Sequence, residues 1–352
     1  MPNFRNFLFI KISVKLVQID YNYLSQGFNQ LNVLIVGDVI LDHYLIGRVD
    51  RISPEAPVPV VLHESEDYRL GGAANVALNI KKMGATPYLL SLIGGDHQGE
   101  RLVKLLNEEE IDGSYLVRDE KRTTTCKTRI LARNQQLLRY DYEETTWLNS
   151  NQEEQLLDQI KTVLHEQKID AIVFQDYNKG LLTKHVIQQV MLYAKAMDVP
   201  TLADPKKANF LSYKGVDFFK PNLREINEGL NVFISETQPR LKELVAAATA
   251  VQEALDNHCT LITLGARGIF YQLGEHVDLV PTKERTVADV CGAGDTVISI
   301  IALGVAARLP IHEIVALANI AGGQVCEQVG VVPINKKLLL KEYYSKEYPA
   351  RQ

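Results

Sequence analysis

Cysteine is scarce in this chain: four occur, at 126, 259, 291 and 326, with no C-x-x-C and no histidine at metal-ligand spacing beside them. That scarcity argues against a disulfide framework or a zinc ribbon and fits reduced thiols in a cytosolic protein. Long runs of positive charge are also missing. With Lys+Arg 38 against Asp+Glu 43, the formal net charge is −5, so no nucleic acid and no anionic membrane is expected as main partner, although a local pocket can still be positive. No apolar run reaches the ~20 residues of a membrane span. The segment FLFIKISVKLVQ near the start is interrupted by Lys11 and Lys15, and no small-residue cleavage site follows it at normal spacing. Two nucleotide signatures are absent as well, the P-loop G-x-x-x-x-G-K-[ST] and a G-x-G-x-x-G after the first strand.

What is present is enough for one large core: 352 residues, 46% hydrophobic. Residues 1–30 read as an extension ahead of the fold, able to pack on its surface or pair as an extra strand. From Leu31 to Val36 the chain is continuously apolar, then meets Gly37-Asp38, the pattern of a strand in a parallel sheet covered on both faces. Strands at 171–174, 201–203 and 261–264 each end in a short polar or glycine turn and alternate with helices. This order predicts an α/β fold, an open doubly wound, mostly parallel sheet with helices on both faces and ligands at the strands' carboxyl ends. Two β-rich insertions, about 44–66 and about 120–142, interrupt the alternation. The first is broken by Pro54, Pro57 and Pro59, and the second reads as a hairpin turning at Asn134. Together they can form a small β-sheet lid. Gly71-Gly72-Ala73-Ala74-Asn75 reads as a glycine turn opening a helix, and the tail from 336 to 352 as a surface helix that frays.

The chemistry concentrates in G-A-G-D at 292–295. Three small residues before a helix let amides converge on an anion, and the first-turn N–H groups and the helix dipole favour negative charge there. Asp295 would sit beside those amides, either as an ordinary N-cap or as a general base that deprotonates an attacking hydroxyl. Other groups at predicted strand ends can grip a nucleotide: Lys206 after Asp204-Pro205, Asn222 and Glu225 in K-P-N-L-R-E, and Thr263, Gly265 and Gly268 in T-L-G-A-R-G. Asn222 and Glu225 could hold waters of a Mg²⁺ ion, which binds few protein oxygens directly.

The glycine motif at 71–75 with D-V-C-G-A-G-D-T at 289–296 resembles the ribokinase, or PfkB, carbohydrate kinases over roughly residues 31–335. More specific runs are R-I-S-P-E-A-P-V-P-V-V at 51–61, R-N-Q-Q-L-L-R-Y-D-Y-E at 133–143, D-Y-N-K-G at 176–180 and D-P-K at 204–206. They resemble the branch acting on D-glycero-β-D-manno-heptose 7-phosphate. The resemblance implies ATP-dependent phosphorylation at O1, giving the 1,7-bisphosphate on the route to the ADP-heptose of the lipopolysaccharide core, with Mg²⁺ and room for a monovalent cation. It makes Asp295 the base and the amides of Gly292, Ala293 and Gly294 the anion hole. Asp42, Gly71, Gly72 and Asn75 would meet sugar hydroxyls, with Asp38 nearby. Asn222 and Glu225 would serve Mg²⁺ and phosphates, Thr263, Gly265 and Gly268 the nucleotide phosphates, and Asn319 would lie near adenine.

For the 7-phosphate, Arg133, Arg139, Lys179, Arg51 and Lys206 are the cations near these motifs, and an Arg fork suits a phosphate dianion. Relatives dimerise through the lid, so a homodimer is expected. Bifunctional relatives carry a nucleotidyltransferase domain with H-x-G-H, which does not occur here; a separate phosphatase and adenylyltransferase are expected instead. Cys291 replaces the family's usual Thr before G-A-G-D, and a thiol at a helix N-terminus is expected to have a lowered pKa and oxidant sensitivity. The alternatives are another PfkB sugar kinase, of ribokinase, fructokinase or phosphofructokinase type, and a sugar or nucleotide sensor without turnover.

Overall fold

Strand β1 (Asn32–Gly37) feeds both faces of a sheet, Val33 and Ile35 entering one apolar core and Leu34 and Val36 the other. Its unbroken apolarity follows from that double burial. The computed structural model describes residues 19–345 apart from Asn134, so the expectations for residues 1–18, for the turn at Asn134 and for 346–352 lie outside the described residues. Ahead of β1, Asp20 caps helix α1 (Tyr21–Gln26), which buries Leu24, and a short 3-10 turn buries Phe28.

The strands β2 (Val39–Ile52) and β3 (Pro59–Gly72) come next, then α2 (Ala73–Lys82), β4 (Thr86–Gly94), α3 (His97–Glu108) and β5 (Leu116–Asp119). The hairpin β6 (Cys126–Ala132) and β7 (Gln135–Tyr142) precedes α4 (Ser150–Glu166), β8 (Ala171–Gln175), α5 (Lys184–Met197) and β9 (Thr201–Asp204). After β10 (Phe218–Phe219), α6 (Leu223–Leu230) and α7 (Leu241–Leu255) come β11 (Cys259–Thr263), β12 (Ile269–Leu273) and β13 (His276–Val280). Helices α8 (Ala293–Ala306), α9 (Ile311–Cys326) and α10 (Lys336–Tyr343) complete the described chain.

Nine strands form the main sheet in the order β13-β12-β11-β10-β9-β8-β1-β4-β5, parallel from β5 to β11 and antiparallel at the β12–β13 edge. One apolar core joins the sheet to α2, α3, α8, α9 and α10, the other to α4, α5, α6 and α7. The expected open, doubly wound, mostly parallel sheet is therefore observed. Among the described residues no helix is long and apolar enough to cross a membrane.

The two β insertions do meet, as a four-stranded lid in the order β3-β2-β6-β7, with β2 and β6 parallel from Leu41↔Cys126 to Gly47↔Ala132. Its first part is longer than the sequence suggested. β2 and β3 run unbroken back to the main sheet, so Gly71 and Gly72 pair with Ile40 and Val39 as the last residues of a strand instead of forming a turn. Irregularities at Ile46/Gly47 and Val49/Arg51 absorb the register change near the proline-rich connection.

The expected fraying tail is also revised for the residues described. Leu339, Leu340 and Tyr343 lie on one face of α10 and are buried, and the Tyr343 hydroxyl donates to Glu313. Leu339→Ala should cost about 2–5 kcal/mol, visible as a clear fall in the thermal unfolding midpoint; an unchanged midpoint would show that α10 adds nothing to the core.

Candidate active site

Four segments converge on the carboxylate of Asp295. Gly292, at φ 75°, turns the chain into α8, and a side chain there would bring its Cβ to 2.8 Å from Asn75 Nδ2. Glycine is required by both the backbone angle and the approach. Asp289 secures the turn by accepting from the amides of Cys291 and Gly330, both at 3.0 Å. The next three residues start the helix, so Asp295 lies in its first turn, where N–H groups lack intrahelical partners. Gly294 is exposed while Asp295 beside it is 2% exposed.

Asp295 is held by three donors from three other segments. Asn75 Nδ2 on α2 donates to Oδ2 at 2.9 Å, Gln175 Nε2 at the end of β8 donates to Oδ1 at 3.1 Å, and the Tyr177 hydroxyl donates to Oδ1 at 2.7 Å. Burial raises the Asp295 pKa to about 7; Asn75 and Tyr177 pull it down, and the charges of Asp204 and Asp42 push it further up. A carboxylate balanced there can accept a proton near neutral pH. The phenol of Tyr177 is pushed well above its ordinary value, by burial first and then by Asp295, so it remains a donor.

Asp38 fixes the loop that carries Tyr177. Its Oδ2 accepts from the amides of Tyr177 (2.8 Å) and Lys179 (3.1 Å), and its Oδ1 from Leu181 (3.3 Å). Burial, then the neighbouring Asp176, raise its pKa to about 6 against those amides. Asp38 thus shapes the loop, and both of its oxygens are engaged where the sequence suggested a group near the sugar. Asp42 on β2 is buried and paired with Arg129 on β6, whose guanidinium lies 5.3 Å from the Tyr44 ring centroid. A Cβ at Gly71 would run into the Asp42 carboxylate. Asp42, Gly71, Gly72 and Asn75 are therefore gathered on the lid side of Asp295.

On the other side, Asn222 caps α6 and forms a capping box with Glu225: Asn222 Oδ1 accepts from the Glu225 amide at 2.8 Å, and Glu225 Oε2 accepts from the Asn222 amide at 2.9 Å. Lys206 pairs with the remaining oxygen, Oε1. A parallel bridge joins Asn222 to Thr263, which leads into the turn bounded by Gly265 (φ 59°) and Gly268 (φ 98°). Burial first, then Asp204, raise the Glu225 pKa. Asn319 on α9 donates to the Val280 carbonyl at 2.8 Å, tying down the end of β13.

Several groups escaped the sequence reading. Lys220, 2% exposed, stands 3.1 Å from Asp204 Oδ1, and Gly294 faces this pair: its Cβ position is 3.8 Å from Asp204 Oδ2 and 4.0 Å from Lys220 Nζ. Lys220 was visible as the first letter of K-P-N-L-R-E, and Tyr177 as the second of D-Y-N-K-G, but neither spacing reveals where the side chain ends.

Among the expected phosphate cations, Lys179 is drawn in and pairs with Glu143 at 2.7 Å. Arg139 is exposed on β7, opposite Arg129, with its Nε 2.9 Å from Asp141. Arg133 stands exposed at the hairpin turn, φ 49°, with Gln135 and Gln136 exposed beside it. Six residues of extended strand, about 20 Å, separate Arg133 from Lys127 at the root of the lid. Arg51 is exposed near the end of β2.

Cys291 corrects an expectation. Its thiol is pushed up to about 11, by burial first, with Arg129 opposing and Asp289 adding to the rise. It precedes the helix instead of lying in its first turn, and a carboxylate is its neighbour, so no thiolate forms at neutral pH and the expected lowered pKa is overturned.

The chain's residues 30–337 match the pfkB family carbohydrate kinase model. It is 39% identical over 316 residues to the bifunctional protein HldE of Syntrophotalea carbinolica, covering 89% of this chain and 63% of that protein. It is also 39% identical over 309 residues to the bifunctional protein HldE of Pseudomonas aeruginosa strain PAO1, covering 88% of this chain and 62% of that one. This chain therefore spans just under two thirds of the length of these relatives. In fold it is similar to phosphofructokinase-2 of Escherichia coli in complex with substrates and products, with a TM-score of 0.73 at 18% identity over 90% of this chain and 100% of the other. A family match over most of the chain, agreeing with the sheet, the lid and the buried aspartate after G-A-G, establishes that the chain belongs to the PfkB family of carbohydrate kinases, ATP-dependent phosphotransferases that generically use Mg²⁺.

Proposed function

We propose that this protein transfers the γ-phosphate of ATP to the O1 hydroxyl of D-glycero-β-D-manno-heptose 7-phosphate. The observation that carries the reading is the Asp295 carboxylate, buried, balanced near pH 7 and set against the Gly292–Gly294 turn. The acceptor follows from which segments surround it. The runs shared with heptose 7-phosphate kinases supply the lid hairpin (133–143), the Tyr177 loop (176–180) and the Asp204–Lys206 corner. The bisphosphate product would feed a phosphatase and an adenylyltransferase on the way to ADP-heptose in the cytoplasm.

In this mechanism Asn75 and the groups around Asp42 orient the sugar, and Asp295 takes the O1 proton as the oxygen attacks phosphorus in line. The first-turn amides around Gly294 receive the transferring group, with Lys220 behind them balancing charge. Thr263, Gly265 and Gly268 would follow the nucleotide phosphates, and Asn319 would lie near the adenine. Asn222 Oδ1 and Glu225 Oε2 each accept one amide in the capping box and keep a second lone pair, which suits Mg²⁺ held through water, an ion that binds few protein oxygens directly. When bound, that ion neutralises phosphate charge. Closure of the lid would exclude water.

The lid also suggests a second copy as partner. β7 is an edge strand exposing Leu137, Leu138, Tyr140 and Tyr142, an apolar edge that proteins usually cover. A homodimer through this sheet covers it. Sedimentation at working concentration should give twice the chain mass, and a monomer would contradict the pairing.

Phosphorus NMR of products from a panel of heptose 7-phosphate, fructose 6-phosphate, ribose and fructose should show the heptose preferred and the new phosphate on O1. Failure of the heptose to turn over would overturn the acceptor assignment. Asp295→Asn should lower kcat by about 10²–10⁴ with both KM values little changed. Because the base form of Asp295 is needed, kcat/KM should fall about tenfold per pH unit below roughly pH 7. Tyr177→Phe removes a bond that favours the ionised form, so its acidic limb should move to higher pH. A pH–rate profile superimposable on the parent's would refute the link between the phenol and the base.

A further inference from the structure

The segment at 329–331, after α9, is neither strand nor helix, and side chains hold its backbone. The Val329 and Val331 carbonyls accept from Arg69 Nη1 at 2.9 and 3.1 Å. The Val331 amide donates to the Tyr44 hydroxyl at 2.9 Å, and the Gly330 amide donates to Asp289 Oδ2 at 3.0 Å. Backbone groups outside regular structure need such partners when they are taken from water, so these three side chains decide where the segment lies. Gly330 has φ 75°, and a Cβ there would stand 2.8 Å from both Arg69 Nη1 and the Tyr44 hydroxyl. Only glycine permits that approach.

The three side chains come from two places. Arg69 on β3 and Tyr44 on β2 belong to the root of the lid, with the Arg69 guanidinium 4.8 Å from the Tyr44 ring centroid. Asp289 belongs to the turn that enters α8, where its other oxygen accepts from the Cys291 amide. Val331 adds an apolar contact to the same turn, its Cγ1 3.2 Å from the Cβ position of Gly292. Further on, the Ile334 amide donates to Asn79 Oδ1 at 2.9 Å, and Asn79 Nδ2 donates to the carbonyl of Asn75, whose own side chain donates to Asp295. Residues 329–334 therefore join the lid root, the Gly292–Gly294 turn and the helix that carries a donor to the base.

We infer that residues 329–334 form a strap that couples the lid to the turn receiving the transferred phosphoryl group, and that Arg69 is its positioning residue. Among the described residues the hydrogen bonds of Arg69 go to the strap and to Asp67, so it acts on the reaction through the strap. Movement of β3 at the lid root carries the Val329 and Val331 carbonyls with it, and Asp289 and Gly292 follow. The acceptor under the lid and the amides at the start of α8 are thereby brought into register together. That register matters because positioning supplies most of the rate in phosphoryl transfer, and a displacement of about 1 Å can cost ~10²-fold. The inference rests on phosphoryl transfer at this site and on no particular acceptor.

Two measurements on the full chain test it. By hydrogen–deuterium exchange read by mass spectrometry, the amides of residues 289–296 should exchange about tenfold faster in Arg69→Met than in the parent, while those of β1 and β8 keep their rates. Tyr44→Phe, which removes one hydroxyl and keeps the ring, should shift the same amides in the same direction, and it carries the test if Arg69→Met does not fold. With ATP and heptose 7-phosphate, Arg69→Met should lower kcat about 10–100-fold with both KM values little changed. Unchanged exchange at 289–296 in the variants, or faster exchange across the whole chain, would overturn the coupling. A raised acceptor KM at the parent's kcat would place Arg69 on the sugar and overturn it as well. If the parent does not turn over heptose 7-phosphate, the acceptor assignment falls, and the exchange rates alone decide for or against the strap.

Discussion

The site depends on keeping a buried carboxylate ready to ionise. Burial pushes Asp295 toward its neutral form, and the hydrogen bonds from Asn75 and Tyr177 offset part of that penalty, leaving its pKa at about 7, while Gln175 adds a third donor. Each donor comes from a different segment: α2, the end of β8 and the loop after it. A shift of α2 against the sheet, or a change in the Tyr177 loop, would therefore alter the protonation of the base before it altered any substrate contact. Asp38 belongs to the same constraint, because its carboxylate holds three amides of that loop in register.

Around this carboxylate most charges are already paired. Asp204 holds Lys220, Glu225 holds Lys206, Asp42 holds Arg129 and Glu143 holds Lys179. Buried pairs of this kind contribute little net stability, since desolvating both ions offsets most of their attraction. Their value here is orientation. Lys220 reaches the back of the G-A-G-D turn already aimed.

Much of the fold was legible because it rests on local patterns. Continuous apolarity at 31–36, a helix opened by Gly292, and the β-rich stretch at 123–142 each express a constraint acting over a few residues. The errors arose where a distant contact decides the outcome. Gly71 and Gly72 read as a turn, yet pairing with Ile40 and Val39 makes them a strand end. Leu339 and Tyr343 read as a fraying surface helix until α9 and the core are placed against them. Cys291 was expected to be activated by a helix terminus, but burial and Asp289 outweigh that field. Tyr177 and Lys220 were inside recognised motifs and still unassigned, because their ends meet groups more than a hundred or about sixteen residues away respectively.

The hydrogen bonds of Asp295 also say which oxygen can act. A carboxylate offers about four lone-pair positions, two on each oxygen. Oδ1 already accepts from Gln175 and from Tyr177, whereas Oδ2 accepts only from Asn75 among the described residues. The remaining position is therefore on Oδ2, beside the side chain that leads into α2 and toward the lid. In the proposed transfer, a sugar hydroxyl can bond there without expelling the phenol, and the proton arrives on Oδ2 while Tyr177 and Gln175 continue to hold Oδ1. Tyr177 then acts as a fixed support of the base, its ring centroid 5.7 Å from Lys127 Nζ and 5.4 Å from Lys206 Nζ.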